Sequence, residues 1–291
     1  MPYAKAKDGT QLYYKDWGKG DPVVLLHGWP LTGDTFDDAA IALVEAGKRC
    51  IIPDRRGFGR SDQPWDGHDY DTYADDVAAI LESAGISEKV ALVGFSMGGG
   101  EVARFLTTQG ANRVSKAVLI SAVVPYMAKT DDNPNGVPKA TFDEMTAGMK
   151  KDREHFFTGF FKDFYGVGAL TSPVSDEVLM NSWRQTMMAG LRPTLAAANA
   201  FATTDFRPDM ASFTVPTLII HGTADKTVPI DATGRAAAKA IPGAQLIEYD
   251  GRAHGLFATD KERLIGDLVG FLGSDSGADQ RSAIPMSATT Y

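Results

Sequence analysis

Val90-Ala91-Leu92-Val93-Gly94-Phe95-Ser96-Met97-Gly98-Gly99-Gly100 is the stretch on which the reading of this chain turns. A short apolar run ends in Gly-x-Ser-x-Gly, and a helix-compatible segment, Glu101 to Leu106, follows at once. A serine on so tight a strand-to-helix turn holds a strained backbone, so the residues two before and two after it must lack bulk. Gly94 and Gly98 meet that need, and the turn pushes the Ser96 hydroxyl clear of the sheet edge. The N-terminal N–H groups of the following helix point to where an oxyanion would form. Ordinary structural turns also match so short a pattern. The flanking strand and helix, and two segments far down the chain, decide for the functional reading.

On either side of this stretch, strand and helix patterns alternate. Residues 3 to 17 predict a hairpin, with Asp8-Gly9 as its turn. Pro22-Val23-Val24-Leu25-Leu26 reads as a strand buried on both faces and ends in His27-Gly28-Trp29-Pro30. A helix is expected from Thr35 to Ala46, with Phe36, Ala40, Leu43 and Val44 on one side. A strand over Arg49–Pro53 leads into Asp54-Arg55-Arg56-Gly57-Phe58-Gly59-Arg60-Ser61. A helix over 72–84 has Asp71 as its cap. A strand over Val114–Ser121 follows the elbow helix. After residue 213 come a strand ending at His221, a helix over Ala232–Ala240, a strand over Gln245–Tyr249 and a helix over Lys261–Leu272. This alternation predicts an α/β fold with a mostly parallel, doubly wound sheet. Its core comprises residues 1–124 and 214–273.

Between 125 and 213 the alternation stops. A loop containing Pro134, Gly136 and Pro138 precedes three helical patterns, near Phe142–Phe164, Asp176–Met188 and Pro193–Ala202. We read this stretch as a helical cap insertion lying over the sheet. Its dense aromatics and methionines suit helix packing, with some of them roofing a pocket. Residues 274–291 have no periodicity and read as a loosely attached tail.

Composition narrows the function classes. The chain has 291 residues, 44% of them apolar, enough for a full core. Its net charge is −8, with no basic cluster, which argues against nucleic acid and anionic membranes as partners. Cys50 is the only cysteine, so neither an intrachain disulfide nor a cysteine-based metal site can form. Cys50 is expected to pack as a small apolar residue in a strand. No N-terminal apolar signal region and no run of membrane-spanning length is present, which predicts a soluble, cytoplasmic protein.

A nucleophilic serine needs a base, and the base needs an orienting acid, on loops past the carboxyl ends of strands. Asp225, in Gly222-Thr223-Ala224-Asp225, and His254, in Gly251-Arg252-Ala253-His254-Gly255, stand in such places. The order Ser96, Asp225, His254 is the one this architecture uses. Of the five histidines, His27 reads as a brace for the oxyanion loop and His221 as a satisfied core residue. His68 and His155 read as surface positions. Asp250, at a strand's end, is the weaker candidate for the acid. The oxyanion hole requires the backbone N–H of the residue after the nucleophile and one from the loop after the early buried strand, here Met97 and Trp29. Trp29, Phe95, Val123, Phe142, Val228 and Phe257 are expected to line the substrate pocket.

The motifs together carry a resemblance. His27-Gly28-Trp29-Pro30-Leu31, Asp54 to Ser61, Gly94 to Arg104, Ser121-Ala122-Val123, Asn133-Pro134-x-Gly136-Val137-Pro138, Thr204-Asp205-Phe206 and the Asp225 and His254 segments resemble the α/β-hydrolases. More narrowly they are similar to the cofactor-free bacterial haloperoxidases, also called perhydrolases, and their aryl-esterase relatives. The match runs from about Tyr3 to Leu272. It implies an enzyme without metal or other cofactor that hydrolyses small or aryl esters through an acyl-enzyme. Peroxide can replace water, giving a peracid that oxidises halide in solution. Pro30 resembles the perhydrolase version of the oxyanion loop. The resemblance also implies a homo-oligomer, a trimer or hexamer.

Other functions use the same fold. Haloalkane dehalogenases and epoxide hydrolases place an aspartate at the elbow, which Ser96 argues against. A lactamase, a carbon–carbon bond hydrolase or a hydroxynitrile lyase would keep the serine. A non-catalytic small-molecule-binding protein on this fold is the alternative from another class.

Overall fold

Apolar runs rich in Val, Ile and Leu become strands where both of their faces can be covered. A computed structural model describes residues 2–273, so the tail expected over 274–291 lies outside the described residues. β1 (Tyr3–Lys5) and β2 (Gln11–Gly18) make the expected antiparallel hairpin, with Tyr3 opposite Tyr13. β3 (Asp21–Leu26), β4 (Lys48–Pro53), β5 (Val90–Phe95), β6 (Val114–Ile120), β7 (Thr217–Gly222) and β8 (Gln245–Tyr249) follow. All eight form one sheet in the order β1-β2-β4-β3-β5-β6-β7-β8, antiparallel at the β1–β2–β4 edge and parallel from β4 onward. β5 and β7 are buried along their whole length. The strand order reverses beside β3, and in open parallel sheets ligands bind past the carboxyl ends at such a point. Ser96 follows β5 there.

The helices that follow β3, β4 and β5 are α1 (Asp37–Glu45), α2 (Tyr70–Ser83) and α3 (Met97–Phe105). The expected cap of α2 is corrected: Asp69, not Asp71, accepts the Thr72 N–H at 2.9 Å. Asp71 falls inside the first turn, where it pairs with Arg104. The elbow helix also begins earlier than expected, directly at Met97. Its glycines are poor helix formers, which hid the first turn, but the tight packing requires them. A Cβ on Gly98 would lie 2.1 Å from the Leu26 carbonyl oxygen.

Between β6 and β7 lie α4 (Lys139–Tyr165), α5 (Asp176–Met187) and α6 (Leu191–Thr203). α4 breaks at Asp152, whose backbone is extended and whose carboxylate caps the second half by accepting the His155 N–H at 2.9 Å. The 3.6-residue periodicity runs through this kink and conceals it. α7 (Gly234–Ala240), the single-turn α8 (Leu256–Thr259) and α9 (Lys261–Gly273) complete the chain described, and α9 packs on α1. Cys50 is buried in β4, where burial pushes its thiol up to about 12. Among the described residues no helix is long and apolar enough to cross a membrane.

Candidate active site

The elbow has the geometry its glycines imply. Ser96 sits at φ 54°, ψ −116°, a conformation that L-residues adopt only when their surroundings enforce it. A Cβ on Gly94 would meet the Gly98 carbonyl at 2.4 Å, so the turn closes only with glycine there. Ser96 N–H donates to Ile120 O at 2.8 Å, and Val123 N–H donates to Ser96 O at 3.2 Å, which ties the elbow to β6 and the segment beyond it.

His254 and Asp225 meet across the carboxyl ends of β7 and β8. His254 Nδ1 lies 2.6 Å from Asp225 Oδ2, and both side chains are fully buried. The other oxygen, Oδ1, accepts the N–H groups of Thr227 at 2.9 Å and Val228 at 2.8 Å. Burial alone would raise the pKa of Asp225. The neighbouring His254 and His221 outweigh it and hold the carboxyl below its usual range, so it remains an anion. An anion on Nδ1 leaves Nε2 as the nitrogen that can accept a proton. Nε2 is buried without a hydrogen-bond partner, so its contact with the Ser96 hydroxyl is not formed in this arrangement. Contacts of this kind are often loose until substrate binds.

The two expected oxyanion donors stand on either side of the elbow. Met97 is the first residue of α3, where an N–H has no acceptor within its own helix. Trp29 follows Gly28, at which a Cβ would meet the Phe95 ring at 2.7 Å and Ser96 Cβ at 3.0 Å, so this loop runs against the elbow. Trp29 precedes a cis peptide to Pro30. Its indole N–H donates to Thr194 O at 3.0 Å, and its ring packs on Phe157, Phe160 and Phe201 at 5.4 to 5.5 Å. The residue expected to offer an amide there is therefore also packed against α4 and α6.

His27 braces this loop. Its Nδ1 lies 3.0 Å from Gly28 O, and its Nε2 accepts Arg55 N–H at 2.9 Å, which places the single ring proton on Nδ1. Burial, and then the Arg55 charge, push its pKa well below the ordinary histidine value. Arg55 also donates to His27 O at 2.5 Å and pairs with Glu101 on α3.

A model of the α/β hydrolase fold family matches residues 21–261. The chain belongs to the α/β-hydrolase family. Over 274 residues this hydrolase is 42% identical to a non-heme chloroperoxidase of Kitasatospora aureofaciens, covering 94% of its own length and 99% of that protein's. It is 43% identical over 277 residues to a bifunctional esterase/perhydrolase of Acinetobacter calcoaceticus, covering 94% and 100%. Among solved structures it is similar to a bromoperoxidase from Bacillus anthracis, with TM-score 0.90 and 43% identity over 94% of this chain and 99% of that one. Within the family the hydrolase therefore belongs with the non-heme haloperoxidases and perhydrolases.

The residues expected to line a pocket occupy different places in the hydrolase. Phe95 is wholly buried, its ring 5.0 Å from His254 and 5.0 Å from Phe257. Phe257 also meets Phe36 at 4.7 Å. Val123 and Val228 are buried, and their amides contact Ser96 and Asp225 as described. Phe142 stands further out, 6.4 Å from Phe201, beside a groove of about 320 Å³ that Tyr126, Met145 and Ala198 also line. The two histidines read as surface positions differ from one another. His155 is exposed as expected, whereas His68 is buried by the folding back of its loop, with Nε2 2.9 Å from Pro64 O. Asp250 is exposed and turned to Thr223, not to His254.

Three features of the hydrolase's site escape a linear reading. Phe164, from the end of α4, packs edge-on against His254 at 4.7 Å, and its carbonyl accepts Gly255 N–H at 2.9 Å. Arg55, bonded to His27 O and paired with Glu101, joins the His27–Pro30 loop to α3. His221 lies 3.4 Å from Asp225 Oδ2. Aromatic periodicity marks Phe164 only as one helix residue among several. For the others the signal in the sequence is faint, namely an arginine within a charged loop, a glutamate just after three glycines and a histidine four residues before the acid.

Proposed function

We propose that this hydrolase cleaves small or aryl carboxylic esters through an acyl-enzyme on Ser96, and forms peracids when hydrogen peroxide replaces water. The observation that carries this reading is the buried His254–Asp225 pair, set at the end of the sheet that presents Ser96 on a positive-φ turn. The 42–43% identity to a chloroperoxidase and an esterase/perhydrolase over nearly the whole chain supports the substrate class.

His254 Nε2 takes the Ser96 proton as Oγ attacks the ester carbonyl carbon. The developing oxyanion is held by the Trp29 and Met97 amides, each such donor contributing about 10²–10³ in rate. His254 then gives the proton to the departing alcohol, leaving an acyl ester on Ser96. Water attacks that ester, with His254 accepting its proton, and the acid is released. Hydrogen peroxide in the same step releases a peracid, which transfers an oxygen atom to bromide or chloride to give hypohalous acid and the carboxylate.

The acyl group is placed among Trp29, Val123 and Val228, with Phe95 and Phe257 behind them. Phe142, itself part of the 125–213 insertion, stands further out beside Phe201. We further propose a cytoplasmic enzyme, possessing neither a nucleic-acid nor a membrane partner, on the strength of its acidic composition. The trimer or hexamer implied by the resemblance is checked by sedimentation. For the activity itself, turnover of an aryl acetate is compared between the native enzyme and Ser96→Ala. Equal rates would overturn the proposal. Bromination with acetate, peroxide and bromide no faster than the Ser96→Ala background would remove the perhydrolase part alone.

A further inference from the structure

We infer, resting on the Ser96–His254–Asp225 reading above, that His221 is a positioning residue of the triad, acting on its acid and not on substrate. His221 is fully buried near the end of β7, the strand whose following loop carries Asp225. Its Nε2 lies 2.9 Å from Val228 O and 3.4 Å from Asp225 Oδ2. Both neighbours are acceptors, so the ring proton sits on Nε2 and Nδ1 is bare. Nδ1 is buried without a partner. It faces Gly234, where a Cβ would lie 2.7 Å from it, so the first turn of α7 backs the ring. The reverse ring orientation would set a C–H against both oxygens.

The contacts close a small circuit. Val228 N–H donates to Asp225 Oδ1 at 2.8 Å, and Val228 O accepts from His221. One imidazole thus pins the residue whose N–H holds Oδ1 and, at longer range, contacts the oxygen that faces His254. Removing its N–H leaves Oδ2 with His254 Nδ1 as its sole remaining side-chain donor and frees the 225–228 turn to rotate. The carboxylate fixes the tautomer and ring angle of His254. A displacement of about 1 Å at such a distance from the chemistry can lower the rate by about 10²-fold. A histidine that only filled space would have no need of a donor aimed at this turn.

The test uses the full-length enzyme with two substitutions. His221→Phe fills the space without a donor, and His221→Gln keeps an N–H near the position of Nε2. Aryl acetate turnover and the downfield proton resonance of the His254 Nδ1–H bond are both recorded. We expect His221→Phe to lower kcat by about 10–100-fold with KM little changed and to shift or broaden that resonance. His221→Gln should restore both to near native. The inference is overturned if His221→Phe keeps native kcat and resonance, or if both variants fold and lose kcat equally. Should His221→Phe fail to fold, His221→Gln decides alone: near-native kcat and resonance support the role, and a tenfold loss or a shifted resonance ends it. Should the native enzyme show no Ser96-dependent turnover, the esterase reading fails by itself, and the resonance still reports whether His221 orients Asp225.

Discussion

Replacing Glu101 by Gln tests whether the Arg55–Glu101 pair holds together the two segments proposed to form the oxyanion hole. Both side chains are 3% exposed. Burial works against each charge, yet the Glu101 charge overrides it at Arg55 and raises the guanidinium pKa. Removing one partner leaves a buried charge uncompensated, a loss of about 3–5 kcal/mol. That is a large share of the roughly 5–15 kcal/mol by which domains are stable. The measurement is urea unfolding at fixed pH, with aryl acetate turnover in parallel. The double variant Arg55→Met/Glu101→Leu removes both charges and should recover most of the stability. It should not recover full kcat, because the Arg55 donor to His27 O, two residues before Trp29, is gone. A Glu101→Gln enzyme within about 0.5 kcal/mol of native stability, the size of an ordinary surface change, would refute the reasoning. A double variant with native kcat would refute its catalytic half.

Other consequences can be measured separately. His27 has a folded-state pKa below its ordinary 6.5, so the unfolded chain binds the extra proton and stability falls as pH drops below that value. This amounts to about 1.4 kcal/mol per unit, and urea midpoints that do not fall between pH 6.5 and 5 would contradict it. Gly255→Ala places a Cβ 2.3 Å from the Tyr165 ring, which Ser182 holds at 2.7 Å through its hydroxyl. Overpacking of this kind costs about 1–3 kcal/mol, and kcat should fall with it because His254 is the preceding residue. An unchanged melting temperature would show that the ring yields freely. Cys50, buried and with its thiol pushed up to about 12, should resist a thiol reagent in the folded enzyme and react in urea. Rapid labelling of the native protein would contradict its burial.

Much of the architecture is legible because local rules and global fold agree. Val23 to Leu26, Val90 to Phe95 and Leu218 to Ile220 are apolar without alternation, as strands covered on both faces must be. Where local signals conflict, the linear reading slips. Three consecutive glycines after Met97 oppose helix on propensity, yet the first turn of α3 forms because only glycine lets it approach β3. Asp69 and Asp71 are equally good caps by residue type, and which one caps depends on where the loop delivers the chain. The kink at Asp152 is invisible because the apolar spacing on either side continues across it.

The sequence by itself determines the order of chemical parts: a serine between glycines after a buried strand, then an acid and an imidazole after two later strands. It does so because turn sterics and hydrophobic burial act over a few residues and leave a linear imprint. The tertiary structure alone decides what surrounds those parts. Phe164 against His254, Arg55 between His27 and Glu101, and His221 beneath Asp225 are contacts between segments far apart in the chain or side chains whose direction no spacing reveals. Such contacts depend on which atoms face one another after folding, and a residue's type and position carry only part of that information.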